Sequence, residues 1–254
     1  MLVAIHQSHY LPWLRYVEKI ARSDLFIVLD DVQYEKNGFQ NRSKIKTAQG
    51  WMYLTVPAQK PLQRCIREIE IDPRSNWRDK HGRALEMNYG KARFFARYWP
   101  ELAAVYEQEW THLAALNRAM LEVLLRQLEI RTPIAYSSEL PTSGRNTERL
   151  AELCHAVGGD SYLSGRYALQ AYLDPAVLAA AGIGLAFQEW QAPTYQQLYP
   201  AAGFVPDLAI LDLLFNEGPR AKEILLVSGA VTYPERGELT TGAGFPLAGH
   251  VLCP

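Results

Sequence analysis

Two short apolar runs near the start of the chain constrain its fold more than any other feature. Residues 2–6 and 25–29 each have the length and composition of a buried strand. Between them, apolar side chains follow a helical period from Trp13 to Ile20, and Pro12 suits the first turn of a helix. A strand, a helix and a second strand in this order usually form a right-handed crossover between parallel strands. The sequence therefore predicts an α/β fold that opens with a βαβ unit.

The rest of the chain alternates between β and helical patterns. Residues 43–46 and 51–56 flank a turn and predict a hairpin, whereas residues 77–128 have a wholly helical pattern. We expect a parallel sheet core, a small β-hairpin region and a helical subdomain within one α/β domain of residues 1–219. Residues 220–254 are predicted to form a C-terminal helix and an irregular tail. Further predicted elements are strands at 66–71, 134–136, 161–163 and 184–189, and helices at 146–157, 208–215 and 220–226.

Charge and composition exclude several classes of protein. The 254 residues carry a formal net charge of -1, so no general electrostatic attraction to nucleic acid or to an anionic membrane is expected. No stretch approaches the roughly 20 apolar residues of a membrane span. The cysteines Cys65, Cys154 and Cys253 are widely spaced and form no CxxC pair, and the N-terminus lacks the pattern of a secretory signal. These features predict a cytoplasmic protein without a structural zinc site.

The segment from His6 to Trp13 is the densest polar and aromatic cluster of the chain. It lies between a predicted buried strand and a helix N-terminus, where free backbone N–H groups and the helix dipole favour anions. His6 and His9 are candidate catalytic residues because imidazole transfers protons near neutral pH. Gln7, Tyr10 and Trp13 are candidate substrate-binding residues. The alternative is that His6 caps the strand and His9 lies on the surface.

A second cluster follows the second strand. Asp30 stands at the carboxyl end of that strand, near His6 if the two strands are parallel, and is a third candidate catalytic residue. Gln33, Asn41 and Arg42 are candidate substrate-binding residues, since a guanidinium group suits carboxylate or phosphate. The alternative for Asp30 is capping of a turn. The sequence predicts that one pocket is lined by His6, His9, Asp30, Gln33 and Arg42.

Two polar segments further along the chain supply additional candidates. Lys80 and His81 begin the helical region, and Arg145 lies in a polar turn before a predicted helix. All three are candidate substrate-binding residues; a surface helix and simple helix capping are the alternatives. The chain contains neither a Walker loop nor a GxGxxG segment, and it has no spacing typical of a metal site.

Several separated motifs then occur in a fixed order. They are Ile5-His6-Gln7-Ser8-His9-Tyr10-Leu11-Pro12-Trp13, Lys19-Ile20, Asp30-Asp31-Val32-Gln33-Tyr34 with Lys36, Asn41-Arg42, Trp51 with Leu54-Thr55-Val56-Pro57, Trp77 with Lys80-His81, Gly165 with Tyr172-Leu173, Gln197 with Phe204, and Leu211-Asp212-Leu213-Leu214-Phe215-Asn216 with Gly218. In these motifs the chain resembles the WbqC-like proteins of bacteria over roughly residues 2–219. Two positions depart from the family's pattern: Ser8 replaces a usual proline, and Arg15 replaces a usual glycine. The bulk of Arg15 suggests that it narrows the crevice or reaches into it.

The resemblance implies a biosynthetic role for surface polysaccharides such as O-antigen, or for small molecules. It suggests group transfer involving a nucleotide-activated sugar and leaves the catalytic residues, the cofactor and the oligomeric state open. A nucleotidyltransferase-like or adenylate-forming enzyme is an alternative, because the spacing of His6 and His9 partly matches an HxGH motif. A non-catalytic module that stacks a sugar on aromatic side chains is another, as is a metal-dependent hydrolase that uses His6, His9 and Asp30. The proposed sugar-stacking residues are Tyr10, Trp13, Tyr34 and Trp51.

Overall fold

A computed structural model describes residues 1–59 and 64–234. The strands in these ranges are β1 (Leu2–Gln7), β2 (Leu25–Leu29), β3 (Arg42–Thr47), β4 (Gly50–Thr55), β5 (Ile134–Tyr136), β6 (Ser161–Gly165), β7 (Gly184–Glu189) and β8 (Ala230–Thr232). The helices are α1 (Leu14–Arg22), α2 (Trp77–Tyr89), α3 (Phe95–Glu107), α4 (Leu113–Gln127), α5 (Asn146–Ala156), α6 (Ala168–Ala171), α7 (Pro175–Ala180), α8 (Ile210–Glu217) and α9 (Ala221–Val227).

The core is a six-stranded sheet in the order β5-β2-β1-β6-β7-β8. All neighbouring pairs are parallel except β7 and β8, which are antiparallel. Strands β3 and β4 form a separate antiparallel hairpin. The predicted α/β class with a parallel sheet core, a hairpin and a helical region is therefore confirmed.

The order of the strands reverses at β1. The chain proceeds outward from β1 through β2 to β5, and then returns to the other side of β1 to form β6 and β7. In open α/β sheets, ligands bind at the carboxyl ends of the strands where the order reverses. This topology places the expected ligand site between the ends of β1 and β6.

Helices α1 and α5 cover opposite faces of the sheet. On one face, the side chain of Gln188 in β7 donates to the α1 carboxylate of Glu18. On the other, Gly159, just after α5, lies so close to Val3 that an added Cβ would be 2.4 Å from the Val3 Cγ2 atom. Val3 is in register with Leu185 through Tyr162 of β6, so the side chains of Val3 and Leu185 point to the same face of the sheet. Gln188 follows Leu185 by three residues on the same strand, so its side chain points to the opposite face. Side chains from both helices can therefore meet at the carboxyl edge.

Some local predictions require correction. Helix α1 begins at Leu14, and Pro12 precedes it, with its carbonyl accepting from the Ile210 N–H at 2.9 Å. The predicted strand at 66–71 is a single 3₁₀ turn, which Glu68 stabilises by accepting from the Cys65 N–H at 3.2 Å. The helical region comprises α2, α3 and α4, and α7 was not predicted from the sequence. Residues 230–232 add an edge strand where an irregular tail was expected; residues 235–254 lie outside the described ranges.

Candidate functional site

A cavity of about 350 Å³ lies at the carboxyl ends of β1 and β6, at the reversal of the strand order. Strand β1 contributes Ile5, His6 and Gln7 to its wall, and β6 contributes Tyr162 and Gly165. The remaining lining residues are His9, Trp13, Arg15, Lys19, Leu29, Val32, Glu35, Gly38, Phe39, Asn146, Arg149, Leu150, Leu153, Tyr167, Ala168, Tyr172 and Gln188.

His6, near the end of β1, and His9, in the loop that follows, are adjacent in this cavity. Their ring centroids are 4.8 Å apart in an edge-on arrangement. His9 is only 6% exposed, and within the described ranges its Nδ1 atom has no hydrogen-bond partner. Burial, assisted by the charge of Lys19, lowers the pKa of His9 to about 3. At neutral pH, His9 therefore offers a hydrogen bond to a ligand rather than a positive charge.

Aromatic side chains fix the orientation of the His9 ring. The centroid of Trp13 lies 4.9 Å from it and that of Tyr16 lies 5.0 Å away. Phe39 packs edge-on against Trp13 at 4.3 Å. Gln7 is held as well, because it accepts from Gln40 at 2.7 Å and donates to Glu35 at 2.9 Å. The loop thus presents its polar groups from a rigid wall.

The positive charge of the cavity comes from Arg15, Lys19 and Arg149, which were not among the predicted catalytic or substrate-binding residues, although Arg15 was expected near the crevice. Arg15 and Lys19 are one turn apart on α1, whereas Arg149 comes from α5 on the other face of the sheet. Glu35 is the one acidic residue among the described lining residues. Spacing by one helical turn was the available signal for Arg15 and Lys19. Recognising Arg149 required knowing that β6 lies beside β1.

Arg149 is the most strongly held of these cations. Its Nη2 donates to Asp31 at 2.6 Å, and its Nε donates to the Thr142 hydroxyl at 3.3 Å. The Nη1 atom is buried and has no hydrogen-bond partner in the described part of the chain. An unsatisfied buried donor on a charged group costs free energy, and an anionic ligand in the cavity would satisfy it.

Asp30 does not reach this cavity. Its carboxylate accepts from the Ser138 N–H at 3.0 Å and from the Ser138 hydroxyl at 2.8 Å, just after β5. Asp30 therefore binds the turn after β5, more than 100 residues along the chain, and not a turn that directly follows it, which was the alternative. Gln33 pairs with Cys65 in an isolated bridge, and Arg42 binds the Asn37 carbonyl and stacks over Tyr53 at 4.4 Å. The expected single pocket thus contains His6 and His9, and it excludes Asp30, Gln33 and Arg42.

Most of the remaining predicted substrate-binding residues also lie outside the cavity. Tyr10 is fully buried outside the cavity, where its hydroxyl hydrogen-bonds to His81 Nδ1 at 2.9 Å and to the Tyr106 hydroxyl at 2.6 Å. Asn41 donates to the Val56 carbonyl at 2.7 Å. Lys80 and Arg145 are exposed and lie outside the lining. The predicted site residues that line the cavity are His6, Gln7, His9 and Trp13.

The described ranges contain no group of three histidine, cysteine or acidic side chains arranged to hold a metal ion. The triad of His6, His9 and Asp30 is not assembled, because Asp30 is bound to the segment after β5. Within the same ranges, every helix is too short or too polar to cross a membrane.

Together, the strand order and the lining of the cavity define an α/β protein with a cationic crevice where the sheet reverses. The chain belongs to the WbqC-like protein family, whose model matches residues 7–224. It is 40% identical over 227 residues to "Uncharacterized protein Rv1507c" of Mycobacterium tuberculosis, and the match covers 88% of this chain and 96% of that protein. No solved structure matches the chain.

Proposed function

We propose that the protein is a group-transfer enzyme of bacterial surface-polysaccharide or small-molecule biosynthesis that binds a phosphate-containing substrate in this cavity. A nucleotide-activated sugar is the substrate class that the family resemblance suggests. The observation that carries the proposal is the convergence of Arg15, Lys19 and Arg149 at the carboxyl edge, with the Arg149 Nη1 atom buried and unsatisfied in the described structure. The expected cytoplasmic location remains part of this proposal.

Five polar side chains of the cavity receive a role in the proposed reaction. Arg149 and Arg15 stabilise negative charge on the phosphate oxygens during transfer. His9 hydrogen-bonds to the substrate as a neutral imidazole, consistent with its lowered pKa. His6 accepts a proton from the hydroxyl group that receives the transferred group. Gln7, oriented by Gln40 and Glu35, contacts the polar part of the substrate.

Thermal unfolding with added ligands tests the binding step. The panel contains nucleotide sugars, ATP and CTP with Mg²⁺, and inorganic phosphate. A ligand that binds only the folded state raises the melting temperature as its concentration increases. We expect such a rise for the wild type and for Arg145→Met, but a smaller rise for Arg149→Met. Arg145 is a matched control because it lies one turn before Arg149, is exposed and is outside the lining.

Arg149→Met also leaves Asp31 without its partner, so a second variant is needed. Arg15→Met removes charge from the cavity and preserves the pair between Arg149 and Asp31. It should also weaken the ligand-induced rise. An equal rise in melting temperature for the wild type and all three variants would contradict the proposal. So would the absence of any rise in the wild type with every ligand of the panel.

Product analysis tests the transfer step. With a ligand that binds, His6→Ala should lose nearly all release of the nucleotide product and retain the thermal shift. Release of pyrophosphate from a nucleoside triphosphate would instead identify the nucleotidyltransferase or adenylate-forming alternative.

The non-catalytic sugar-binding module has one observation in its favour, because Trp13 lines the cavity. The other proposed stacking residues lie outside the lining, and both Tyr10 and Tyr34 are buried elsewhere. This alternative predicts that Trp13→Ala abolishes affinity for a sugar, that His6→Ala preserves it, and that no ligand is turned over.

A further inference from the structure

Lys19 has an unusual environment for a lysine. It lines the cavity from α1 and is only 8% exposed. In the described part of the chain, its amino group forms neither a hydrogen bond nor an ion pair. Buried lysines normally pair with an acid, because an isolated ammonium group is costly to bury.

The charged groups around Lys19 explain why it lacks a partner. Glu18, its neighbour on α1, binds Arg22 at 2.7 Å and also accepts from Gln188. Glu35, the acidic residue of the described cavity lining, accepts from Gln7 at 2.9 Å. Both carboxylates are thus engaged with other groups.

The remaining neighbours do not favour a charged amine. His9 is neutral at ordinary pH, and Arg15 carries a like charge one turn away. Burial and the charge of Arg15 lower the pKa of Lys19 to about 8, against a smaller opposing effect of Glu18. About one amine in ten is then neutral at pH 7, far more than for an exposed lysine.

We propose that Lys19 is a nucleophile that forms an imine with a phosphorylated aldehyde or ketone bound in the cavity. This inference rests on the proposed phosphate site, where Arg149 and Arg15 hold the phosphate group. A buried amine beside another cation is a recognised arrangement for such chemistry.

The step is balanced without a further reactant. The lone pair of the neutral Nζ attacks the carbonyl carbon to give a carbinolamine. The carbonyl oxygen then leaves as water, carrying the two protons that the amine loses, and a carbon–nitrogen double bond forms. Hydrolysis reverses the step and restores Lys19. The apolar side chains of Ile5, Leu29, Leu150 and Leu153 limit water in the cavity and favour the imine.

Reductive trapping tests this inference. Pyridoxal 5′-phosphate is a suitable probe because it carries both an aldehyde and a phosphate group. After borohydride reduction at pH 7.5, peptide mapping by mass spectrometry should show at least about tenfold more adduct at Lys19 than at the exposed Lys80, because burial lowers the pKa of Lys19 and the cavity holds the phosphate group beside it. Inorganic phosphate should compete with labelling, and pyridoxal without phosphate should label Lys19 poorly.

Conservative variants separate the nucleophilic role of the Lys19 amine from the effect of its positive charge on phosphate binding. Lys19→Arg should abolish the cavity adduct and retain the thermal shift given by inorganic phosphate. Lys80→Arg should leave labelling of Lys19 unchanged.

Labelling spread evenly over the surface lysines, or labelling of Lys19 that is independent of phosphate, would overturn the inference. If the phosphate-induced thermal shift persists in that case, only the nucleophilic role of Lys19 fails. If that shift is also absent, the proposed function fails with it.

Discussion

The Nη2 atom of Arg149 donates to Asp31 Oδ2 at 2.6 Å and thereby ties α5 to the segment that follows β2. Both side chains are largely buried, with exposures of 6% and 17%. The Ser137 hydroxyl donates to the other oxygen of Asp31 at 2.5 Å. Asp31 therefore fixes the orientation of the Arg149 guanidinium, whose buried Nη1 has no hydrogen-bond partner in the described ranges.

Asp31→Ala should lower the free energy of unfolding by about 3 kcal/mol, because it leaves the buried Arg149 charge unpaired. Urea unfolding at pH 7 measures the change. Glu122→Ala is the control: it breaks an ion pair with Arg118 whose side chains are 47% and 60% exposed, and such a pair contributes roughly 0.5 kcal/mol. Similar losses in the two variants would show that the Asp31 pair has no special structural role.

Tyr10→Phe should destabilise the protein without impairing ligand binding. The change removes a buried hydroxyl that bonds to both His81 and Tyr106, at a cost of about 1–3 kcal/mol. Urea unfolding measures that cost, with Tyr233→Phe as an exposed control. The ligand-induced rise in melting temperature should be unchanged, because Tyr10 lies outside the cavity. Loss of that rise at unchanged stability would instead support the substrate-binding role that the sequence suggested.

The contrast between His6 and Asp30 shows how far local sequence patterns can locate the site. His6 was placed correctly at the cavity because the end of a buried strand followed by a helix is a local signal. Asp30 was placed wrongly because its partners, Ser137 and Ser138, follow β5, more than 100 positions later. Only the pairing of β2 with β5 brings them together, and no local pattern specifies that pairing.

Local sequence patterns were also insufficient to place the positively charged side chains of the cavity. Arg149 reaches the site only because β6 lies on the other side of β1 from β2. Lys19 resembled an ordinary helical lysine, since its burial depends on what packs against α1. Except for the edge strand β8, the strands of the sheet were predictable from their apolar runs, whereas the charge of the cavity depends on long-range topology.

Acid should destabilise the protein through His81. Burial lowers the pKa of His81 to about 4 from its ordinary value of 6.5, so the folded state binds a proton less readily than the unfolded state. The resulting stability is complete above pH 6.5 and is lost as the pH falls towards 4, by up to about 1.4 kcal/mol per pH unit. His9, whose pKa is lowered to about 3, changes stability in the same direction.

Titration of Asp212 changes the stability of the fold in the opposite direction between pH 3.8 and about 6. Burial raises its pKa from 3.8 to about 6, so its contribution is present below pH 3.8 and is lost as the pH rises to 6. Comparing His81→Gln with the wild type cancels this contribution. Urea midpoints at pH 7.5, 5.5 and 4.5 should fall less steeply in the variant than in the wild type. Parallel curves would exclude His81 as a source of the acid sensitivity.

Gly218→Ala should destabilise the junction between α8 and α9. Gly218 has a φ of 57° and a ψ of -122°, a combination that residues with a Cβ rarely adopt, and an added Cβ would lie 2.5 Å from the Phe94 ring. We expect a loss of about 2 kcal/mol or more in urea unfolding. Gly82→Ala provides the matched control, because Gly82 lies inside α2 with open space around it, and alanine there should stabilise the protein by about 0.5–1 kcal/mol. If Gly218→Ala were neutral, the contact between Gly218 and Phe94 would be looser than the structure shows.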